Sequence, residues 1–274
     1  MSSVEGRVCV VTGAARGLGQ AIAAALGAAG GRLALCDVLD AELAATAADL
    51  RAQGIAVYAA RCDVSDSASV DAFFAAVEQE LGPVEVLVNN AALVPGGPDD
   101  EVRRSKHYAY ITTPVPRTSL GFTSAMSDAE WLKYWGVNVH GTFFCTRAAL
   151  RQMEPRGYGR IVNVASVAGL SMYSAHSPHY SATKGAVVAF TRAVASEVAG
   201  ANIFVNAIAP GGVATPMFED YLARLDEESR NRMFQFVPAG RLGTMAEYAG
   251  LAVYLAGDNH YLAGQIISPN GGMF

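Results

Sequence analysis

The chain has 274 residues, 51% hydrophobic and only 16% charged, which is enough apolar material for one large α/β core and excludes wholesale disorder. A net charge of −5 and an isoelectric point near 5.5 give no basic stripe for nucleic acid and no cationic face for an anionic membrane. Cys9, Cys36, Cys62 and Cys145 form no C-x-x-C pair and read as free thiols of a reducing cytoplasm, while no secretory leader, membrane span or metal site is expected.

The first apolar run, residues 8–11, feeds Thr12-Gly13-Ala14-Ala15-Arg16-Gly17-Leu18-Gly19, and a helical stretch is expected over 17–29. Glycines between a first strand and a first helix let backbone approach a pyrophosphate, and the helix start offers it free N–H groups. The next run, 32–36, ends at Asp37, 18 residues past Gly19. A carboxylate there can accept both hydroxyl hydrogens of an adenosine ribose and would repel a 2′-phosphate, favouring NAD over NADP. Arg16 pulls the other way, since a guanidinium can pair with a 2′-phosphate. Asp37 also suits a helix N-cap before the segment 41–53. Further strands are expected at 56–60 and 84–88, around a helix at 67–81. Asp63 and Val64 after the first of these suit an adenine edge, and Asn90 and Ala91 after the second suit the ribose and nicotinamide. All four also work as turn chemistry.

Residues 93–125 break this rhythm. They hold Pro95, Pro98, Pro114 and Pro116, the acidic Asp99, Asp100 and Glu101, the basic Arg103, Arg104, Lys106 and Arg117, and no sustained period. A structureless stretch of that length tends to be functional. It leaves the carboxyl end of the sheet, where ligands bind in such folds. With His107, Tyr108, Tyr110 and Phe122 it is expected to roof an apolar substrate pocket, together with Met172, Tyr173 and the segment 217–237, which carries Phe218, Tyr221, Met233, Phe234 and Phe236. An outer-surface or oligomer-contact role is the alternative. The basic residues would suit a carboxylate or sulfonate on the substrate, or simply solvent.

The strand at 160–164 ends in Ala165-Ser166, and after thirteen intervening residues Tyr180-Ser181-Ala182-Thr183-Lys184 opens the helix 180–199. Side chains at i and i+4 share a helix face, so Tyr180 and Lys184 point together. An ammonium beside a phenol favours the phenolate, turning a poor base into a usable one at neutral pH. Ser166 can hold the substrate oxygen beside it. His176 and His179 are assigned to the loop before that helix. Strands at 203–207 and 265–268 complete about seven, nearly all continuously apolar as a parallel sheet covered on both faces requires. The expected fold is α/β, a Rossmann-like doubly wound parallel sheet with helices on both faces, in one domain.

In T-G-x-x-x-G-x-G at 12–19, N-N-A at 89–91, Asn138, Ser166, Y-x-x-x-K at 180–184 and Pro210-Gly211, the chain resembles the short-chain dehydrogenase/reductases over nearly its whole length. The resemblance implies a nicotinamide-linked oxidoreductase with Asn138, Ser166, Tyr180 and Lys184 as catalytic set. It implies that Asn138 holds a relay water to Lys184, that Lys184 binds the nicotinamide ribose, and that Val213 and Thr215 hold the carboxamide. It also implies a homo-oligomer, dimer or tetramer, through helices matching 127–153 and 180–199. Ala92 and Asn270 depart from the family pattern, and residues 93–125 exceed its usual connection by on the order of 20 residues. The activity expected is NAD-dependent interconversion of a bulky hydrophobic, aromatic or alicyclic secondary alcohol and its ketone. The alternatives are an NADPH-dependent ketone or 3-oxoacyl-type reductase and a silent NAD-binding regulator. Replacing Tyr180 separates the last of these from the others.

Overall fold

The computed structural model describes residues 4–273, without the side chains of Tyr173 and Met217. Seven parallel strands, β1 (Val8–Thr12), β2 (Arg32–Asp37), β3 (Val57–Arg61), β4 (Val86–Asn89), β5 (Gly159–Val164), β6 (Ile203–Ile208) and β7 (Ile266–Ile267), lie in the order β3-β2-β1-β4-β5-β6-β7. Each strand falls within two residues of the run that marks it in the sequence. The order reverses between β1 and β4, and a crevice opens there at the carboxyl ends.

Strand alternation divides the core in two. Leu33, Leu35, Val86, Val88 and Val162 face α1 (Gly17–Ala28), α2 (Asp40–Ala52) and the late helix α10 (Met245–Ala256). Val10, Leu87, Ile161 and Val205 face α3 (Ser67–Leu81), α6 (Thr142–Met153) and α7 (Pro178–Val198). Both faces are covered, so the strands are mainly apolar on both sides, with Asn89, Asn163 and Asn206 as buried polar exceptions.

The segment without a period holds a helix, α4 (Pro98–Thr112). Pro98 occupies its first turn, where the missing N–H costs nothing. Asp100 closes the start by accepting from the N–H groups of Gly96 and Gly97 at 3.0 and 3.2 Å. Its buried face consists of Asp100, Arg104 and His107, helical in spacing but polar. A hydrophobic period cannot reveal such a helix. Helices α5 (Asp128–Trp135), α8 (Pro216–Arg224) and α9 (Glu227–Phe234) complete the set, and α4 and α9 pack together above the crevice. Among the described residues no helix is long and apolar enough to cross a membrane, and the four thiols are free and buried.

Candidate active site

The crevice is a cavity of about 1500 Å³ running from the glycine turn, past the end of β5, to the roof. At its first end the Thr12 hydroxyl accepts from the N–H groups of Asn90 and Ala91 at 3.1 and 3.0 Å. The Asn90 amide donates to the carbonyls of Thr12 and Gly13, both at 3.0 Å. This lock presses the turn onto the chain after β4. A Cβ on Gly13 would lie 2.7 Å from Ala91 Cα, and Gly13 has a φ of +64°, so a side chain is excluded on both counts. No side chain caps the first turn of α1 and no acidic residue enters it. Its N–H groups stay open to an anion, which fits a dinucleotide pyrophosphate.

Asp37 lines the same cavity. Its carboxylate accepts from Ala15 N at 3.0 Å, Val38 N at 2.7 Å and Leu39 N at 3.1 Å. It does not cap α2, whose N-cap is Leu39. Three backbone donors fix its direction and leave acceptor capacity on two oxygens. Arg16 reaches the cavity from the opposite side of the turn. Gly17, Leu18, Gly19, Asp63, Val64, Ala91, Pro210, Gly211, Val213 and Thr215 all line the cavity. Asp63 also accepts from the N–H and hydroxyl of Ser65, at 2.9 and 2.7 Å.

Ser166 begins a short turn after β5, its hydroxyl accepting from Ala168 N at 3.1 Å. Tyr180 and Lys184, one turn apart on α7, line the cavity beside it. Burial pushes the Tyr180 phenol above its ordinary range, and its hydrogen bond with Ser166 works in the opposite direction. Burial also pulls the Lys184 ammonium down to about 8. Lys184 donates to Val164 O at 2.6 Å and stands 5.7 Å from the Tyr180 ring centre. The direction of the phenol's shift is set by burial, with Ser166 opposing it, and not by Lys184.

Two pocket expectations, Met172 and Tyr221, are corrected, and Asn138 and His176 are placed as follows. Asn138, in a π-helical turn at Gly136–Gly141, does not line the cavity. Its amide accepts from Leu93 N at 2.7 Å and donates to Leu93 O and to the Thr183 hydroxyl, each at 3.1 Å, so it clamps the start of the inserted segment to the catalytic helix. Met172 is 85% exposed and points away from the cavity. Tyr221 is buried behind Phe218 and under Arg104, one layer outside the wall. His176 does line the cavity, and its Nδ1 lies 3.3 Å from His107 Nδ1. The fourth pocket residue of the sequence reading, Tyr173, lies outside the described residues; Phe218 lines the cavity, with Tyr108, Met233 and Phe236.

The remaining basic residues of the insertion serve the insertion itself. Arg103 bridges Asp100 at 2.5 Å and Glu130 at 2.8 Å. Lys106 donates to Leu120 O, and Arg117 to Tyr110 O. His179 is buried within 3.7 Å of Glu130, so Asp100, Glu130 and His179 form a cluster that three separate elements assemble and sequence spacing cannot show. Arg103 already supplies the cation that these carboxylates face. The tail departure at Asn270 has a local role: its side chain accepts from Gly272 N and Met273 N, forming the turn against which Gly211 packs.

Residues 7–226 match the model of the short chain dehydrogenase family. The chain belongs to that family. The chain is 33% identical over 270 residues to the 3-oxoacyl-[acyl-carrier-protein] reductase MabA of Mycobacterium tuberculosis, covering 97% of this chain and 92% of the relative. It is 33% identical to the corresponding reductase FabG of Pseudomonas aeruginosa over 273 residues, covering 99% of both. Among solved structures, an actinorhodin polyketide ketoreductase variant with NADPH superposes with a TM-score of 0.83 at 34% identity, covering 100% of this chain and 99% of that one. Levodione reductase superposes at 0.82 with 31% identity, covering 98% and 97%. The seven-stranded Rossmann-like fold and the oxidoreductase class of this chain follow from that membership.

Proposed function

We propose that this short-chain dehydrogenase interconverts a ketone and a secondary alcohol with NAD(H), Tyr180 carrying the proton. The observation that carries the reading is one cavity with Ser166, Tyr180 and Lys184 at its middle and the Asp37 carboxylate at its nucleotide end. A bound nicotinamide supplies or takes the hydride. In reduction Tyr180 gives its phenolic proton to the carbonyl oxygen, and in oxidation it takes the hydroxyl proton back. Ser166 holds that oxygen, and Lys184 binds the nicotinamide ribose and favours the phenolate once a positive ring adjoins it. Asn138 acts as a positioning residue.

The relatives named above are reductases, which favours carbonyl reduction as the working direction. A second reading, an NADPH-linked 3-oxoacyl-type reductase, is favoured by those names and by Arg16, whose guanidinium has no carboxylate partner among the described residues. A cytoplasmic homo-oligomer is part of the proposal, since Leu132 on α5 and Phe143 on α6 are exposed.

The test is spectrophotometric, following NADH and NADPH over a panel of ketones and secondary alcohols that includes 3-oxoacyl thioesters. The proposal expects NADH to outperform NADPH. Turnover with NADPH alone would transfer the assignment to the second reading. Binding of NADH without turnover of any member would leave a nucleotide-binding regulator.

A further inference from the structure

One charged group in the cavity is unexplained by the chemistry above. Arg104 projects from α4 into the cavity wall, and the residue is only 8% exposed. Among the described residues its guanidinium has one hydrogen-bond acceptor, Pro95 O at 2.9 Å, and no ion-pair partner. An arginine has five N–H donors and stays charged in proteins. Its Cζ lies 4.8 Å from the Tyr221 ring centre and 6.0 Å from that of Phe218, contacts that steady the group without neutralising it. A buried charge without an opposite charge is costly, and a ligand that supplies one gains what the protein leaves uncompensated.

The surroundings define that ligand. Arg104 acts on His176, four residues before Tyr180, so the guanidinium sits beside the catalytic loop and away from the nucleotide end. His176 is pushed down to about 3, by burial first and then by Arg104 and His107, while burial lowers His107 as well. Burial therefore works against the charged form of both imidazoles. Phe218, Met233, Phe236 and Tyr108 make the rest of the wall apolar or aromatic. Asp220 lines the cavity but is exposed, and the buried Asp100 is taken by Arg103 and the N–H groups of Gly96 and Gly97, so among the described residues neither pairs with Arg104. One planar cation in an apolar frame suits a singly charged, planar oxyanion better than a phosphate dianion.

We infer that Arg104 anchors a carboxylate on the substrate, so that the reacting molecule is an oxo acid or hydroxy acid whose carboxylate docks on α4 while its carbonyl or carbinol carbon meets Ser166 and Tyr180. The inference deepens, and rests on, the oxidoreductase reading. The carboxylate itself is unchanged in the reaction and serves recognition only.

The test uses three oxo acids, levulinate, 4-oxocyclohexanecarboxylate and 4-acetylbenzoate, each beside its methyl ester. Wild-type enzyme is expected to prefer an acid over its ester in kcat/KM. In Arg104→Met that acid-to-ester ratio is expected to fall about 30–100-fold, mostly through KM for the acid. Arg104→Lys keeps the charge but loses the fork, so a drop nearer 10-fold is expected, and it serves as readout where Arg104→Met fails to fold. A wild-type enzyme indifferent to acid and ester overturns the inference. So does a variant that loses both in parallel, because Arg104 would then only pin α4 to α8. Where no compound is turned over, calorimetric titration of the same acids decides. Binding that depends on Arg104 keeps the anion site and removes only the oxidoreductase reading, whereas its absence removes the site.

Discussion

The two ends of the cavity are built by opposite means. The nucleotide end rests on a sheet whose covered positions are mainly apolar on both faces, and it is shaped by glycines and backbone groups. The roof rests on α4, whose buried face is Asp100, Arg104 and His107, each matched to particular partners. Apolar burial is non-directional and tolerant of substitution as long as volume is kept. A buried polar face is specific, and each loss leaves a partner exposed to its full desolvation penalty. The frame carries the family's shared motifs, and on the proposed function the roof is where the substrate would be selected.

Four experiments can break or sharpen that contrast. The largest effect is expected at the catalytic middle. Ser166→Ala should lower kcat on the order of 10²–10³-fold, because a donor to the developing oxyanion is removed, while NADH titration by fluorescence changes little. A loss confined to NADH affinity would put Ser166 in the nucleotide frame instead.

At the nucleotide end, Asp37→Asn removes a like charge from the position facing a 2′-phosphate. The kcat/KM ratio of NADPH to NADH should rise about 10–100-fold. An unmoved ratio would mean that the carboxylate serves only the backbone donors of Ala15, Val38 and Leu39.

At the junction of frame and roof, Asn138→Ala strips both polar groups of Leu93 of their partner. A cost of about 2 kcal/mol is expected, read as a melting temperature lowered by about 4–8 °C. By contrast, Glu101→Gln removes only the exposed pair with Arg224 on the outside of the roof, and the same scan should move by less than about 2 °C. Equal effects of the two would erase the distinction between the buried junction of frame and roof and the roof's outer surface.

The fourth effect concerns pH. The buried Lys184 binds its proton more weakly folded than unfolded, with a value of about 8 against the ordinary 10.5. Between those two values the unfolded chain holds more protons, so this group makes stability rise with pH there, its penalty being complete below about 8. Buried thiols and phenols titrate in the opposite sense in the alkaline range. The prediction is thus a difference: wild type minus Lys184→Met, in urea midpoint, should climb from pH 8 to 10.5. A flat difference would show the ammonium to be well solvated.

Legibility follows the same division. The seven strands, the glycine turn and the Tyr180–Lys184 pair could be read from the sequence because each is local: a run, a turn, one helical step. What could not be read depends on partners far along the chain. Asn138 meets Leu93 across 45 residues, and Thr12 meets Asn90 across 78. The buried amide of Asn89 donates to Thr146 and Asn163, and Asn163 donates in turn to Thr191, tying β4 and β5 to α6 and α7 through residues that look unremarkable singly. Helix α4 escapes for the same reason, since polar residues at helical spacing leave no apolar period. Met172 and Tyr221 were misplaced because proximity in sequence to the catalytic loop and to Phe218 does not fix which way a side chain points.

The most direct test of the central claim is Tyr180→Phe, assayed with the best ketone found in the panel while NADH binding is followed in parallel. A fall in turnover of about 10²–10⁴-fold with NADH affinity preserved is the result expected if the phenol carries the proton. Unchanged turnover would contradict the mechanism and move the chemistry to another group in the cavity.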